Sequence, residues 1–301
     1  PTQSSSANTG VFGVNDVVEL LNKGKFKLQA IEAEWFAVAG GGGAGGNHPR
    51  NIPLTMPGGG GGAGGFLSNN DSGLELAFFL PGQTYAMSTG SGGSGGGGDP
   101  GVHGSTGSDT TWNDGTNGTL TLKGGGRGGG GEQVGSNPAG GTGGSAGGTG
   151  SRRGTIREPA LVLTPMQGSD GGASDAYFQS AGGGGKTGGG GNSTTNGGPG
   201  GAGYTWVDGV ERALGGRGSD RQNSTSNSTG AQGVTDGTGN GGASRYTSHY
   251  SGLRGSHGSV GIKFPDGFTI SNPGGGLTIT STTTGGFTTS IITGTGNIQF
   301  D

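Results

Sequence analysis

The segment Ala181-Gly-Gly-Gly-Gly-Lys-Thr sets glycines before a lysine and a hydroxyl residue, the order in which nucleotide-binding loops cradle phosphate. That motif needs a glycine where Ser180 stands, and a helix where Gly188–Gly191 follow, so phosphate binding is not the expectation. Gly-x-Gly-x-x-Gly patterns recur by composition and open no helix. The histidines, His48, His103, His249 and His257, lack the i, i+4 spacing of a helical zinc site. Asp99, Asp109, Asp114, Asp170, Asp175 and Asp220 sit in Gly/Ser/Thr segments, where aspartate ordinarily shapes turns. A glycosidase would need two carboxylates flanking a sugar, and nothing marks such a pair. The chain therefore reads as a non-enzyme with neither metal nor cofactor. Asn-x-Ser/Thr sequons at Asn117, Asn192, Asn223 and Asn227 follow from composition alone.

The remaining chemistry is recognition. Segments 47–57, 99–117, 152–180 and 204–257 read as loops. They hold Trp112, Tyr177, Phe178, Tyr204, Trp206, Arg245, Tyr246, His249 and Tyr250 among Ser, Asn and Gly, the composition of paratope-like surfaces. These nine residues are the receptor-contact candidates, expected on the surface because a glycine-built scaffold offers little side-chain core.

Glycine makes up 84 of the 301 residues, in runs such as Gly58–Gly62, Gly95–Gly98, Gly128–Gly131 and Gly182–Gly185. Glycine buries no side chain and loses the most backbone entropy on folding. With 26% hydrophobic residues, such a chain is either disordered or ordered by main-chain hydrogen bonds between closely packed backbones. Low charge, 12% with a net of −3, argues against disorder by repulsion. No basic stripe points to nucleic acid. No cysteine is present, and no apolar run approaches the roughly 20 residues of a membrane-spanning helix. Pro1–Gly10, polar and Ser-rich, do not read as a secretion signal.

Three regions separate by composition. Residues 1–30 form an attachment segment with the one expected helix, capped by Asp16 and Glu19 and stopped at Gly24. Residues 31–265 form the glycine-rich body, in which Ile31–Ala39, Leu74–Leu80, Thr84–Ser88, Leu120–Lys123, Leu161–Thr164, Ala176–Gln179 and Val260–Phe264 read as strands. Residues 266–301 turn to Thr, Ile and Phe and read as further strands whose edges need cover, on the body or on a partner chain.

Collagen is excluded, because the glycines come in tandem and prolines number only 12. A silk-like disordered chain does not explain interleaved strands. Parallel polyglycine II helices do: three residues per turn, with amides and carbonyls paired to neighbours on all sides. Gly41, Gly60, Gly96, Gly129, Gly184 and Gly189 are the expected contact glycines. The fold class expected is mainly β and irregular, a bundle of polyglycine II helices with short flanking strands and long display loops.

The run Ile31-Glu-Ala-Glu-Trp-Phe-Ala-Val-Ala-Gly-Gly-Gly-Gly-Ala-Gly-Gly resembles the opening of the glycine-rich domain of bacteriophage tail-fibre and tail-tip adhesins. The likeness continues through Leu80-Pro-Gly-Gln-Thr-Tyr and Thr119-Leu-Thr-Leu-Lys-Gly-Gly-Gly-Arg-Gly to the closing strand Gly258-Ser-Val-Gly-Ile-Lys-Phe. It covers about residues 31–265. The resemblance implies a polyglycine II sandwich whose loops bind a bacterial surface glycan or outer-membrane protein. It also implies a place on the virion exterior, with other virion subunits as partners of the N-terminal segment and the C-terminal strands. A homo-oligomer is compatible, and membrane insertion and nucleic acid are not implied. The alternative is a structural virion component, a capsid decoration or tail-assembly protein. The 36 residues after the closing strand and the glycine-poorer stretch 204–257 depart from the pattern.

Overall fold

The computed structural model describes residues 30–50, 54–98, 101–131, 138–151, 163, 165–174, 179–193, 196–219, 234–245 and 251–301. The architecture is mainly β, with no helix among the described residues; the helix expected at 16–24 lies outside them. The strands are β1 (Ile31–Val38), β2 (His48–Arg50), β3 (Leu54–Met56), β4 (Phe66–Ser68), β5 (Ala77–Phe79), β6 (Thr84–Ser88) and β7 (Thr110–Asn113). They continue with β8 (Thr119–Leu122), β9 (Tyr204–Thr205), β10 (Glu211–Arg212), β11 (Ser259–Pro265), β12 (Ile270–Ser271), β13 (Leu277–Thr284) and β14 (Phe287–Phe300). Ten of them form one nearly closed, barrel-like sheet in the order β4-β1-β11-β14-β6-β7-β8, with β5 on β1 and with β12 and β13 on β14. Of the expected strands, 161–164 and 176–179 fall largely outside the described residues.

Period-two alternation sets the inside of this sheet. Ile31, Ala33 and Trp35 of β1 point inward with Phe79, Tyr85, Met87, Trp112, Leu122, Ile262, Phe264, Ile292, Ile298 and Phe300. Aromatic edges lock the layer: Trp35 meets Trp112 edge-on at 4.8 Å between ring centroids, and Phe79 stacks on Phe300 at 4.5 Å. A second, smaller cluster forms on the outer face, where Phe36, Val38 and Phe66 are covered by Trp206 from the β9–β10 hairpin. That cover is why Phe36 through Val38 are buried on both faces rather than alternating. Within the expected strand Leu74–Leu80, Phe78 and Leu80 are 38% and 37% exposed, because alternation sends only Phe79 inward.

The segment 266–301, set apart by composition, is built into the middle of the same sheet. Residues 287–292 of β14 pair with β11 and residues 295–299 pair with β6. Val260, at the glycine-body end of β11, faces Ile292, and Ser88, at the corresponding end of β6, faces Thr295. β14 therefore climbs to the body and turns back down. The corner is Gly294, at φ 105°, a left-handed conformation that residues with a Cβ avoid.

Gln167 joins the two ends of the sheet. Its carbonyl accepts from Phe66 N–H of β4. Its side-chain oxygen accepts from Lys123 N–H at 2.8 Å, and its side-chain nitrogen donates to Thr121 O of β8 at 3.0 Å.

Beyond the sheet the strands continue directly into glycine segments. β1 runs into 39–47, β6 into 89–97 and β8 into 123–131; 57–65 leads into β4, 101–109 into β7 and 251–258 into β11. Within 39–47 the hydrogen bonds step from neighbour to neighbour every third residue. Ala39, Gly42 and Gly45 N–H donate to Gly65, Gly62 and Gly59; Gly40, Gly43 and Gly46 donate to Ser108, Ser105 and Val102; Gly41 and Ala44 donate to Ser256 and Leu253. The carbonyls point to three other segments: Gly40, Gly43 and Gly46 accept from Gly125, Gly128 and Gly131, Gly41 and Ala44 from Gly93 and Gly96, and Gly42 from Gly242. A strand pairs with two coplanar neighbours; segment 39–47 pairs with six. Segment 57–65 repeats the arrangement, its N–H groups going to 123–129, 181–184 and 239–242.

Such close approach excludes side chains. A Cβ placed on Gly41, Gly60, Gly96, Gly129 or Gly184 would meet a backbone carbonyl oxygen well inside 3.0 Å. At Gly189 the nearest atom, Asp170 O, would be 3.4 Å away, an ordinary contact. Gly189 therefore lies at the margin of the packing, contrary to its expected place among the contact glycines.

Candidate functional site

The end of the glycine body away from the sheet is closed by small polar side chains. Asn47, Thr149, Ser151, Ser174, Ser180, Ser193, Ser219 and Ser244 are all buried there. A rod of glycine carries no side chain to satisfy its last main-chain groups, and short hydroxyl and amide groups supply the partners. Asn47 ties three segments: its amide donates to Arg245 O, and its oxygen accepts from Gly58 N–H at 3.0 Å and from the Ser244 hydroxyl at 3.5 Å. Ser174 and Ser193 hydroxyls meet at 3.0 Å, as do those of Ser219 and Ser244. The Ser174 hydroxyl also donates to Gln179 O at 2.7 Å.

From this polar layer the described chain departs repeatedly. Gly98 and Gly101, Gly131 and Pro138, Ser174 and Gln179, and Arg245 and Ser251 flank departures and returns, and the β2–β3 hairpin spans the same end between Asn47 and Pro57. The order of the body thus delivers many chain reversals to one face of the molecule, opposite the sheet.

The receptor-contact candidates distribute unevenly over this frame. Tyr177, Phe178, Tyr246, His249 and Tyr250 lie outside the described residues. Arg245 is exposed at the loop end. Nearby, burial and then the charge of Arg245 lower the pKa of Arg217 from the usual guanidinium value. Tyr204 is half-buried near the sheet, its ring 5.0 Å from that of Phe66 and its hydroxyl accepting from Asn70.

The two tryptophans are corrections. Trp112 is fully buried in the sheet interior, and Trp206 is 3% exposed against Phe36 at 4.7 Å. Segment 99–117 is not one long loop: it holds a glycine segment, β7 and a turn built on Asp114. Segment 204–257 likewise divides into the β9–β10 hairpin and further passes through the body. Sequence composition had no means to show either, because the residues covering these tryptophans come from remote strands.

The motifs set aside on spacing have structural employment. The amides of Gly182, Gly183, Gly184 and Gly185 donate to Gly191, Gly216, Ala146 and Gly188 carbonyls, leaving none for a phosphate. Lys186 is held by Asp71 at 2.8 Å and by Met166 O at 2.9 Å. His103 and His257 accept backbone N–H groups of Gly130 and Gly92 through Nδ1. Among the described residues no three His, Cys, Asp or Glu side chains gather as a metal site would require.

A separate groove of about 450 Å³ lies on the outer face of the sheet, floored by β13 and β14 and walled by the turn at Val207 and Asp208.

No curated protein matches the chain. Residues 23–265 match the glycine-rich domain family, a span covering the described body and the strands that feed it. Over that span, from the strands that open and close the body to the glycines that pack it, the chain belongs to the glycine-rich domain family.

Proposed function

We propose that this chain is a receptor-binding protein on the exterior of a bacteriophage tail, a tail-fibre or tail-tip adhesin that acts by recognition without chemistry. Its body is read as a bundle of polyglycine II helices, supported by hydrogen bonds that change neighbour every third residue. The observation that carries the function is the concentration of chain reversals at the end of the body opposite the sheet, above a buried polar layer. Loops on a rigid scaffold are where binding tends to live, and six-neighbour main-chain bonding makes the scaffold stiff. The partner is a bacterial surface glycan or outer-membrane protein. The N-terminal segment serves attachment to other virion subunits.

Saturable adsorption of the labelled protein to bacterial cells, competing with phage infection, tests the reading. Adsorption that fails on every host of the parent virion overturns it. A second reading has its own support. β13 is an eight-residue strand that pairs on one side only among the described residues, and it carries no proline or lysine to discourage pairing with another chain. Such an edge suits a structural virion component, a capsid decoration or tail-assembly protein, which would bind virions and not cells.

A further inference from the structure

The groove on the outer face of the sheet lies at the opposite end from the loops and carries a chemistry of its own. Its volume, about 450 Å³, falls within the range of small-molecule sites, about 300–1,000 Å³. The floor is set by register. Thr280 lies opposite Ile291 and Thr282 opposite Thr289, so these side chains share one face. Residues alternate across a strand, which places Ser281, Thr283, Thr288 and Ser290 on the reverse face.

The two faces treat their hydroxyls differently. On the reverse face they satisfy one another: Ser281 meets Ser290 at 2.7 Å and Thr283 meets Thr288 at 3.0 Å. In the groove, the hydroxyls of Thr280, Thr282 and Thr289 hold no partner among the described residues. Each is left with a donor and acceptor capacity for a ligand.

The charges at the groove are already spent within the protein. Lys263 binds Glu34 at 2.7 Å, and Asp208 is held by both terminal nitrogens of Arg212, at 2.9 and 2.6 Å. Asp208 Oδ1 also accepts from Val210 N–H. An ionic ligand would have to compete with these pairs; a neutral one would not. At the groove's end the Phe287 ring is 44% exposed, held in place with Lys263 Nζ 5.0 Å from its centroid. Val207 on the opposite wall is 50% exposed.

An exposed aromatic ring beside unpaired hydroxyls, with local charge neutralised, matches a ligand having one C–H face and several hydroxyls. We propose that this groove is a binding site for a neutral saccharide of one or two rings. The ring of Phe287 takes the apolar sugar face, and Thr280, Thr282 and Thr289 bind sugar hydroxyls. The site does not rest on the adhesin reading: it lies at the other end of the molecule and is tested without cells.

The test is titration of the full chain with neutral mono- and disaccharides containing glucose, galactose or N-acetylglucosamine, followed by calorimetry and by NMR of the threonine methyls. A uronic-acid disaccharide serves as the charged arm. Binding of at least one neutral sugar is expected, with Phe287→Ala weakening it about tenfold or more. Thr282→Val and Thr289→Val, which remove a hydroxyl and keep the shape, are expected to weaken it severalfold. Thr283→Val, on the reverse face, should leave it unchanged. No response to any neutral sugar at millimolar concentration overturns the proposal. So does binding that survives Phe287→Ala and both threonine variants, or binding of the charged disaccharide alone. Thermal midpoints of the variants guard against misreading a folding defect.

Discussion

At the scale of single residues, the glycines of the body are not equivalent. A methyl group on Gly60 would strike the Gly216 carbonyl, which is itself bonded into the lattice, so no flexible side chain can yield. A methyl group on Gly189 would only touch Asp170 O. Gly60→Ala is therefore expected to cost about 2 kcal/mol or more, at the upper part of the overpacking range, while Gly189→Ala stays within about 0.5 kcal/mol of wild type. Chemical denaturation of the two variants checks this, and equal losses would contradict the packing described. The buried tryptophans carry a different expectation: Trp206→Ala should destabilise by about 3–5 kcal/mol, because it uncovers Phe36 and Phe66. An effect of that variant on adsorption would then follow its loss of stability rather than a lost receptor contact. The carboxyl of Asp236 is held below its usual pKa chiefly by the hydrogen bond from Arg254, with the His257 N–H and the charges of both residues adding. A depressed folded pKa gives stability that is complete above the unfolded carboxylate value, about 3.9, and is lost as pH falls through the folded one. Because both side chains are about half exposed, the contribution is about 1 kcal/mol or less. The stability gap between wild type and Asp236→Asn should therefore close below about pH 4.

Among the elements, Gln167 and β14 decide the shape of the sheet. Gln167→Leu removes the side-chain bonds to Thr121 of β8 and to Lys123 just after it, and leaves Lys123 N–H and Thr121 O to find other partners. A loss of about 1–3 kcal/mol is expected, with faster amide exchange at Lys123 and Phe66 than elsewhere in the sheet. Unchanged exchange at those amides would show that the two sheet ends are held together by something else. Much of this level was legible in the sequence. β6 lies where Thr84–Ser88 alternate, and β1 and β11 match their alternating runs to within a residue or two. The corner in β14 was not legible: within 266–301 the sequence marks further strands, and only tertiary pairing shows that 287–300 is one strand turning at Gly294. β4 and β7 also escaped, because Phe66-Leu-Ser and Thr110-Thr-Trp-Asn are too short to show a period.

For the molecule as a whole, tandem glycine announced backbone-built order correctly, since no other reading explains ordered strands between glycine runs. What composition could not supply was depth. Aromatic and arginine residues in polar segments looked exposed, yet Trp112 and Trp206 are buried by partners such as Trp35 and Phe36, which sequence proximity does not reveal. The groove at Phe287 was likewise hidden, because it depends on which threonines share a face of a hairpin and which hydroxyls already have partners. The six-neighbour bonding of segment 39–47 carries a calorimetric consequence. Unfolding an ordinary domain raises the heat capacity by about 12–15 cal/mol/K per residue, because newly wetted apolar surface outweighs newly wetted peptide surface. Melting this body wets mostly peptide groups, which act in the opposite direction. Its heat-capacity increment per residue should fall clearly below that range, so its stability curve should bend less with temperature, and cooling should weaken it less than it weakens a protein built around an oily interior.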